Sequence, residues 1–303
     1  ASYKQEESVI YNARDMAISR GSIENIPVHL ITSVPSLETF NNILNKKYKK
    51  IEIKNRFKNY PLPKTKVINL NLESLNKRSI SNETIEIVND YLKKNNQILF
   101  FLNRRGYAPF LICKKCGFRH ICPNCSIYLT YHKITNRIMC HHCGYQNNSK
   151  RTCKDKNLFC EFSMYGPGVE KVFEELKSIF PKKIIKIFSS DYLSQKKQSE
   201  NLITEVSEDK IDILVGTQMI SKGFNFPKLN CIVVVDADFT GKGYDLRSTE
   251  KNIQLYNQLS GRAGRFSKDS IIIYQTINPD NQTLKNILEN KIENFFSNEL
   301  KIR

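Results

Sequence analysis

An open α/β fold on a parallel sheet, broken by a small cysteine-rich module, is the architecture this sequence predicts. Three observations carry that prediction. Ile211-Asp212-Ile213-Leu214-Val215 and Cys231-Ile232-Val233-Val234-Val235 are almost continuous apolar runs, the pattern of strands buried on both faces of a parallel sheet. These runs alternate with stretches of helical spacing, as layered α/β domains require. Eight of the 9 cysteines fall between Cys113 and Cys160.

Taken in order, residues 8–20 have helical spacing, and residues 28–31 (Val-His-Leu-Ile) read as a short buried strand. Thr32-Ser33-Val34-Pro35-Ser36 follows as a loop, with Ser36 placed to cap a helix through about Asn45. Pro61 and Pro63 among charges mark residues 55–66 as a linker. Ser81-Asn82-Glu83-Thr84 opens a helix to about Asn95, and residues 97–102 form the next strand. After the cysteines, Gly166-Pro167-Gly168 leads into a helix over 169–180 and a strand over 184–188. Beyond the two apolar strands, a long helix runs from about Thr249 to Gly261 or Gly264, and residues 270–276 form the last strand. No internal repeat or low-complexity tract is present.

A chain of 303 residues has room for two domains. At 40% hydrophobic it has the composition of a soluble globular protein, with no apolar run of membrane-spanning length. Ala1-Ser2-Tyr3-Lys4-Gln5 carries neither an export signal nor an initiator Met and reads as a cut edge. Paired cysteines without an export signal favour metal ligation in a reducing cytoplasm over disulfides. The net charge of +17 points to a polyanionic partner such as nucleic acid. Joint richness in Lys, Asn and Ile supplies a second origin for that charge, AT-rich coding. Local charge says more. Between Cys113 and Cys160, Lys114, Lys115, Arg119, Lys133, Arg137, Lys150, Arg151, Lys154 and Lys156 face one acid, Asp155. Phe118, Tyr128, Tyr131, Tyr145 and Phe159 are interleaved with them. Cations beside rings suit single-stranded nucleic acid, although in so small a module some rings must form its core.

Cys113 and Cys116, Cys122 and Cys125, and Cys140 and Cys143 are three C-x2-C pairs, followed by Cys153 and Cys160. Two thiolates three positions apart bite one tetrahedral ion, and Gly117 and Gly144 supply the positive-φ turns such knuckles need. All-sulfur tetrahedral ligation selects zinc. Cys153 has no near partner: Cys160 is seven positions on, and His120, His132, His141 and His142 are alternative ligands. Cys231, in an apolar run, reads as a small core residue.

Two further motifs carry chemistry. Gly216-Thr217-Gln218 leaves the end of a strand, where open α/β sheets place ligands, and Lys222-Gly223 extends the loop. The Thr217 hydroxyl suits a phosphate of a bound strand. Gln258-Leu259-Ser260-Gly261-Arg262-Ala263-Gly264-Arg265 is more specific. Its glycines let a turn pack closely while two guanidiniums meet γ-phosphate oxygens. A basic helix end explains one such Arg but not the repeat. Asn103-Arg104-Arg105-Gly106, at another strand end, reads equally as a phosphate contact or as a solvated turn.

In order, Thr-Ser-Val-Pro-Ser, Asn-Arg-Arg-Gly, Gly-Thr-Gln-Met and Gln-x-x-Gly-Arg-x-Gly-Arg resemble superfamily 2 helicases. The cysteine insertion after Asn103-Arg-Arg-Gly-Tyr-Ala-Pro109 makes the chain resemble the bacterial replication-restart helicases, the primosomal protein N-prime family. Tyr11-Asn-Ala-Arg-Asp15, Gly166-Pro-Gly-Val-Glu170, Ala237-Asp238, Asp245-Leu-Arg247 and Glu250 match as well. The resemblance implies RecA-type helicase lobes: the end of lobe 1 over 1–72 and a complete lobe 2 over 73–111 and 164–277. A zinc-binding insertion would occupy 112–163 and the start of a C-terminal region 278–303. It implies an ATP-driven 3′ to 5′ DNA helicase that restarts stalled forks and initiates primosome assembly.

In that family the cysteines hold two zincs in interleaved fashion. Cys122, Cys125, Cys140 and Cys143 would take one. Cys113, Cys116 and Cys153 would take the other, with a fourth ligand expected where this chain has Lys156, so that Cys160 substitutes or the second site is incomplete. Arg262 and Arg265 would sense ATP with Gln258, beside Gly261 and Gly264. Thr217, Asn103, Arg104, Arg105 and Lys222 would contact DNA. The loop 32–36 would couple nucleotide state to strand movement. No Gly-x-x-x-x-Gly-Lys-Ser/Thr and no Asp-Glu-x-His occurs, and these supply the phosphate cradle and a Mg²⁺ ligand. The family's order places both upstream, so the chain reads as a segment that does not hydrolyse ATP alone. Implied partners are branched or forked DNA with single-stranded regions, primosome proteins and single-strand-binding proteins, with no membrane, in the cytoplasm at the nucleoid. The alternative is a truncated, non-enzymatic module binding DNA or protein through zinc.

Overall fold

A computed structural model describes residues 4–5, 11–53, 56–70, 78–102, 110–113, 120–124, 129–132, 137–140, 143–148, 162–165, 168–188, 196–217, 226–237, 247–289 and 291–302. The chain forms two compact units, Ala1–Pro35 and Ser36–Arg303. In the first, β1 (Lys4–Gln5) pairs antiparallel with β2 (Tyr11–Asn12). Asn12 caps α1 (Ala13–Ile23), its side chain accepting from the Arg14 amide at 3.1 Å. Residues 28–31 are not the buried strand expected of them. Ile31 is 96% exposed, and among the described residues no strand lies alongside to take their backbone hydrogen bonds. The following loop closes on itself: the Thr32 hydroxyl donates to the Val34 carbonyl at 2.7 Å and accepts from its amide at 3.2 Å.

The second unit opens with α2 (Leu37–Leu44), capped as expected by Ser36, whose hydroxyl accepts from the Thr39 amide at 3.3 Å. A short 3-10 turn, Phe57–Asn59, precedes β3 (Lys64–Asn69). Ser81 caps α3 (Asn82–Lys93), which leads into β4 (Gln97–Phe101). The cysteine-rich module holds β5 (Phe110–Cys113), β6 (Thr130–His132), β7 (Arg137–Met139), β8 (Gln146–Asn148) and β9 (Phe162–Tyr165). Then follow α4 (Val169–Ile179), β10 (Ile185–Phe188), α5 (Lys196–Ser207), β11 (Ile213–Gly216) and β12 (Leu229–Val234). The chain continues with α6 (Ser248–Ser260), β13 (Ile271–Thr276), α7 (Gln282–Leu288) and α8 (Ile292–Ile302).

Six strands form one sheet in the order β10-β11-β4-β12-β13-β3, every pair parallel. Alternate residues of the central strands face opposite layers, as the two-residue period of a strand demands. Ile98, Phe100, Ile213, Val215 and Val233 meet Val88 and Leu92 of α3 and Val172 and Leu176 of α4. Leu99, Phe101, Leu214, Ile232 and Tyr274 meet Val206 of α5 and Leu255, Tyr256 and Leu259 of α6. Both faces are covered, so the apolar runs in the sequence are continuous rather than alternating. Each such side chain contributes roughly 2 kcal/mol by leaving water. β3 begins inside the expected linker 55–66 and pairs with β13, so the sheet reaches N-terminal of the expected lobe boundary at residue 72. Its sequence, Lys-Thr-Lys-Val-Ile-Asn, has the lysines and mixed exposure of an edge strand.

A polar clasp ties the sheet to α3. The Gln275 side chain accepts from the Ser81 amide at 2.9 Å and the Thr84 hydroxyl at 2.8 Å. It donates to the Ser79 carbonyl at 3.0 Å and the Val235 carbonyl at 3.2 Å. All four positions of this buried amide are in use. Gln275→Leu strands buried donors and acceptors, so we expect it to lower the unfolding free energy by roughly 3 kcal/mol in denaturant titration. A loss below about 1 kcal/mol would show that the clasp is replaceable.

Candidate nucleotide and metal sites

The Gly-Arg repeat lies where α6 ends. Gly261 is the helix cap, its amide bonded to the Asn257 carbonyl at 3.0 Å, and the Arg262 amide continues the turn to Leu259 at 2.8 Å. The Gly264 amide then donates to the Leu229 carbonyl at 3.1 Å, which docks the turn at the amino end of β12. The two glycines differ in need. Gly264 has φ +63°, and a Cβ there would stand 2.1 Å from Ser270 Oγ and 2.7 Å from its Cβ. Gly261 is right-handed at φ −69°, and its nearest neighbour would be 3.4 Å away. The expectation that both glycines serve close packing therefore holds at Gly264 only. We expect Gly264→Ala to cost about 3 kcal/mol, from the left-handed penalty and the clash, and Gly261→Ala to change stability by about 0.5 kcal/mol or less. Paired thermal melts read this difference, and equal losses would remove the argument.

Three arginines surround the turn. Arg265 Nε donates to the Gly261 carbonyl at 3.0 Å, which folds its side chain back along the turn. Arg56, from the connection between α2 and β3, donates from Nη2 to the Ala263 carbonyl at 3.3 Å and from Nη1 to the Pro61 carbonyl at 2.6 Å. Partial burial, and then the like charge of Arg265, lower the pKa of both Arg56 and Arg262. The guanidiniums thus share one region, a field that favours an anion. Gln258 sits exposed on the last turn of α6, at the same end. Sequence reasoning missed Arg56, because its contact spans 207 positions and nothing local announces it.

The other end of α6 holds α2. Glu250 Oε1 accepts from the Leu37 amide at 3.2 Å, adding a carboxylate to the positive end of that helix. Arg247 pairs with Glu38 at 2.5 Å. Arg247 and Glu250, matched above by resemblance alone, therefore have a visible structural task.

Thr217 follows the carboxyl end of β11 and is buried, its amide donating to the Phe188 carbonyl at 3.3 Å. The strand before Asn103, Arg104 and Arg105 ends beside it, since the Leu102 amide donates to the Gly216 carbonyl at 2.9 Å. Those three residues, Gln218 and Lys222 lie outside the described residues. The Gly-Arg turn and Thr217 stand at opposite ends of the sheet, roughly 20 Å apart by strand length.

In the cysteine module, the Sγ atoms of Cys122, Cys140 and Cys143 lie within 4.8 Å of one another, with Cys122 and Cys143 at 3.5 Å. Thiolates about 2.3 Å from a zinc ion lie about 3.8 Å apart, so this set fits the ion. Cys122 and Cys140 are buried and Cys143 is exposed. Gly144, at φ +75°, makes the expected knuckle, its amide returning to the Cys140 carbonyl at 2.9 Å. Cys116, Cys125, Cys153 and Cys160, with Gly117, Lys156, His141 and His142, lie outside the described residues, as do the side chains of Cys113 and His132. His120 stacks on Phe162 at 5.3 Å and is not in the sulfur group. Tyr131, Tyr145 and Phe162 pack on Leu111, Leu129 and Ile138, so these rings serve as module core. Phe118, Tyr128 and Phe159 lie outside the described residues. Cys231 is fully buried in β12, and that burial pushes its thiol pKa up, in keeping with a core residue. No helix among the described residues is long and apolar enough to cross a membrane.

Residues 149–267 match the family described as Helicase conserved C-terminal domain, and residues 122–147 match PriA DNA helicase Cys-rich region (CRR) domain. The chain is similar to replication restart protein PriA of Rickettsia conorii, 40% identical over 100% of this chain and 47% of that protein. The same protein of Haemophilus influenzae is 37% identical over 100% of this chain and 41% of its own length. That of Bacillus subtilis is 34% identical over 99% and 37%. The chain therefore spans less than half the length of these relatives.

Proposed function

We propose that the chain belongs to the family of PriA replication restart proteins and forms the second motor lobe and zinc module of an ATP-driven DNA helicase. The carrying observation is the pairing, in one unit, of an arginine-bearing turn on a parallel sheet with a sulfur cluster inserted between β4 and α4. On this reading Arg262 and Arg265, with Gln258, meet the terminal phosphate of ATP, and their charge offsets the charge that develops as it is transferred. Gly264 keeps the turn close to the sheet so that both guanidiniums stay at its surface. Thr217, Asn103, Arg104, Arg105 and Lys222 bind the DNA backbone. A zinc ion held by Cys122, Cys140, Cys143 and Cys125 supplies a structural cross-link. A second zinc takes Cys113, Cys116 and Cys153 with Cys160.

The whole protein, in this proposal, moves 3′ to 5′ on forked DNA with single-stranded regions and restarts stalled forks. Primosome and single-strand-binding proteins are its partners in the cytoplasm, at the nucleoid. ATP and Mg²⁺ bind through parts the present residues do not supply, so the 303-residue chain alone does not turn over ATP. The test is strand displacement by the complete gene product on forks with one single-stranded arm. ATP-dependent unwinding of the 3′-tailed arm supports the proposal. No displacement on either polarity, or turnover by the 303-residue chain alone, overturns it.

A further inference from the structure

Arg56 reaches the Gly-Arg turn from a segment that carries no recognised motif. Its planar fork spans two carbonyls at once, Pro61 before β3 and Ala263 within the turn. Only a guanidinium holds donors in that fixed relation; a lysine ammonium is a single point. The Ala263 carbonyl is a rigid attachment, because the Ala263 side chain is fully buried and the next amide, Gly264, is bonded to Leu229. That carbonyl also lies between Arg262 and Arg265 in the chain, so anchoring it restrains the turn that carries both side chains. Arg265 is held from the other side by the Gly261 carbonyl.

We propose that Arg56 is a positioning residue for Arg262 and Arg265, clipping their turn through the Ala263 carbonyl so that both arginines present to the phosphates of a nucleoside triphosphate. The proposal rests on the reading of this turn as the ATP-sensing element. The shared field of the three guanidiniums, with Arg265 acting on both of the others, agrees with it. Arg56 acts through orientation: misplacing a catalytic group by about 1 Å costs roughly a hundredfold in rate.

The experiment uses the complete gene product and compares Arg56→Lys, Arg56→Gln and Arg262→Ala. It measures DNA-stimulated ATP hydrolysis, as kcat and KM separately, together with the melting midpoint. Both Arg56 variants are expected to lose kcat by about tenfold to a hundredfold, with KM changed by about twofold or less and melting unchanged. Rescue by Arg56→Lys would mean that charge alone matters and would overturn the positioning role. Unchanged kcat in both variants would overturn it as well. So would a melting midpoint that falls in step with kcat, since that marks a merely structural contact. Arg262→Ala separates the two levels: normal turnover there removes the ATP-sensing reading itself, and the Arg56 proposal falls with it.

Discussion

Replacing Arg262 by Ala in the complete gene product is expected to lower DNA-stimulated ATP hydrolysis about a thousandfold, the effect of removing an arginine that stabilises phosphoryl transfer. The loss should fall on kcat, because the interaction strengthens as charge builds on the transferring group. Arg262 is half-buried, and its pKa is lowered by that burial and by Arg265, so it stands in a region where a phosphate is drawn in. Arg262→Lys should recover only part of the loss, since an ammonium cannot make the paired contact of a guanidinium. The turn itself should survive, because its anchors are backbone amides: Gly261 to Asn257 and Gly264 to Leu229. Steady-state hydrolysis with saturating single-stranded DNA reads the effect. Activity within about tenfold of the parent would remove Arg262 from the catalytic group.

Cys140→Ser is expected to abolish zinc at the middle site and unfold the module around it. Cys140 is fully buried between Cys122 and Cys143, and Ile138 and Leu129 are its apolar neighbours. The module core is too small to stand without a cross-link, whereas a structural zinc contributes on the order of 10 kcal/mol. The parallel sheet has its own core on both faces and should keep its melting transition. Metal analysis and limited proteolysis decide the matter. One zinc per chain should disappear, and cleavage should appear within residues 112–163. Unchanged metal content with a protease-resistant module would sink the assignment. The parent protein's count also bears on Cys160: two zincs mean that the second set is closed despite Lys156, and one means that it is not.

Much of this fold was legible because its strands are extreme. β11 and β12 are buried on both faces, so their composition needed no context. Ser36 and Ser81 were readable as caps because capping is local chemistry between a hydroxyl and an amide three residues on. β3 escaped because an edge strand buries few residues; only Ile68 is fully buried there. Residues 28–31 failed in the opposite way, since apolar letters say nothing about whether a neighbour exists to cover them. At the site, the Gly-Arg repeat was visible as a motif, but the unequal standing of its glycines was not. That difference lives in φ at Gly264 and in the approach of Ser270. Arg56 shows the same limit more sharply: its partners are set by tertiary folding, and its own sequence neighbours carry no trace of them.

The pairing of β5 with β9 has a consequence for how this chain folds. Phe110 lies opposite Tyr165 and Cys113 opposite Phe162, antiparallel, so the incoming and outgoing strands of the cysteine module run side by side. Their ends meet at about 5 Å. To the rest of the lobe the long excursion is therefore a hairpin stem and not an open loop. Loop-closure entropy between β4 and α4 is set by the stem once it has zipped, and the residues beyond it add little. The thiolates can gather their metal early or late without altering the search that β4 makes for β11 and β12. Chain length is added to the lobe while its folding topology stays almost as it would be without the head.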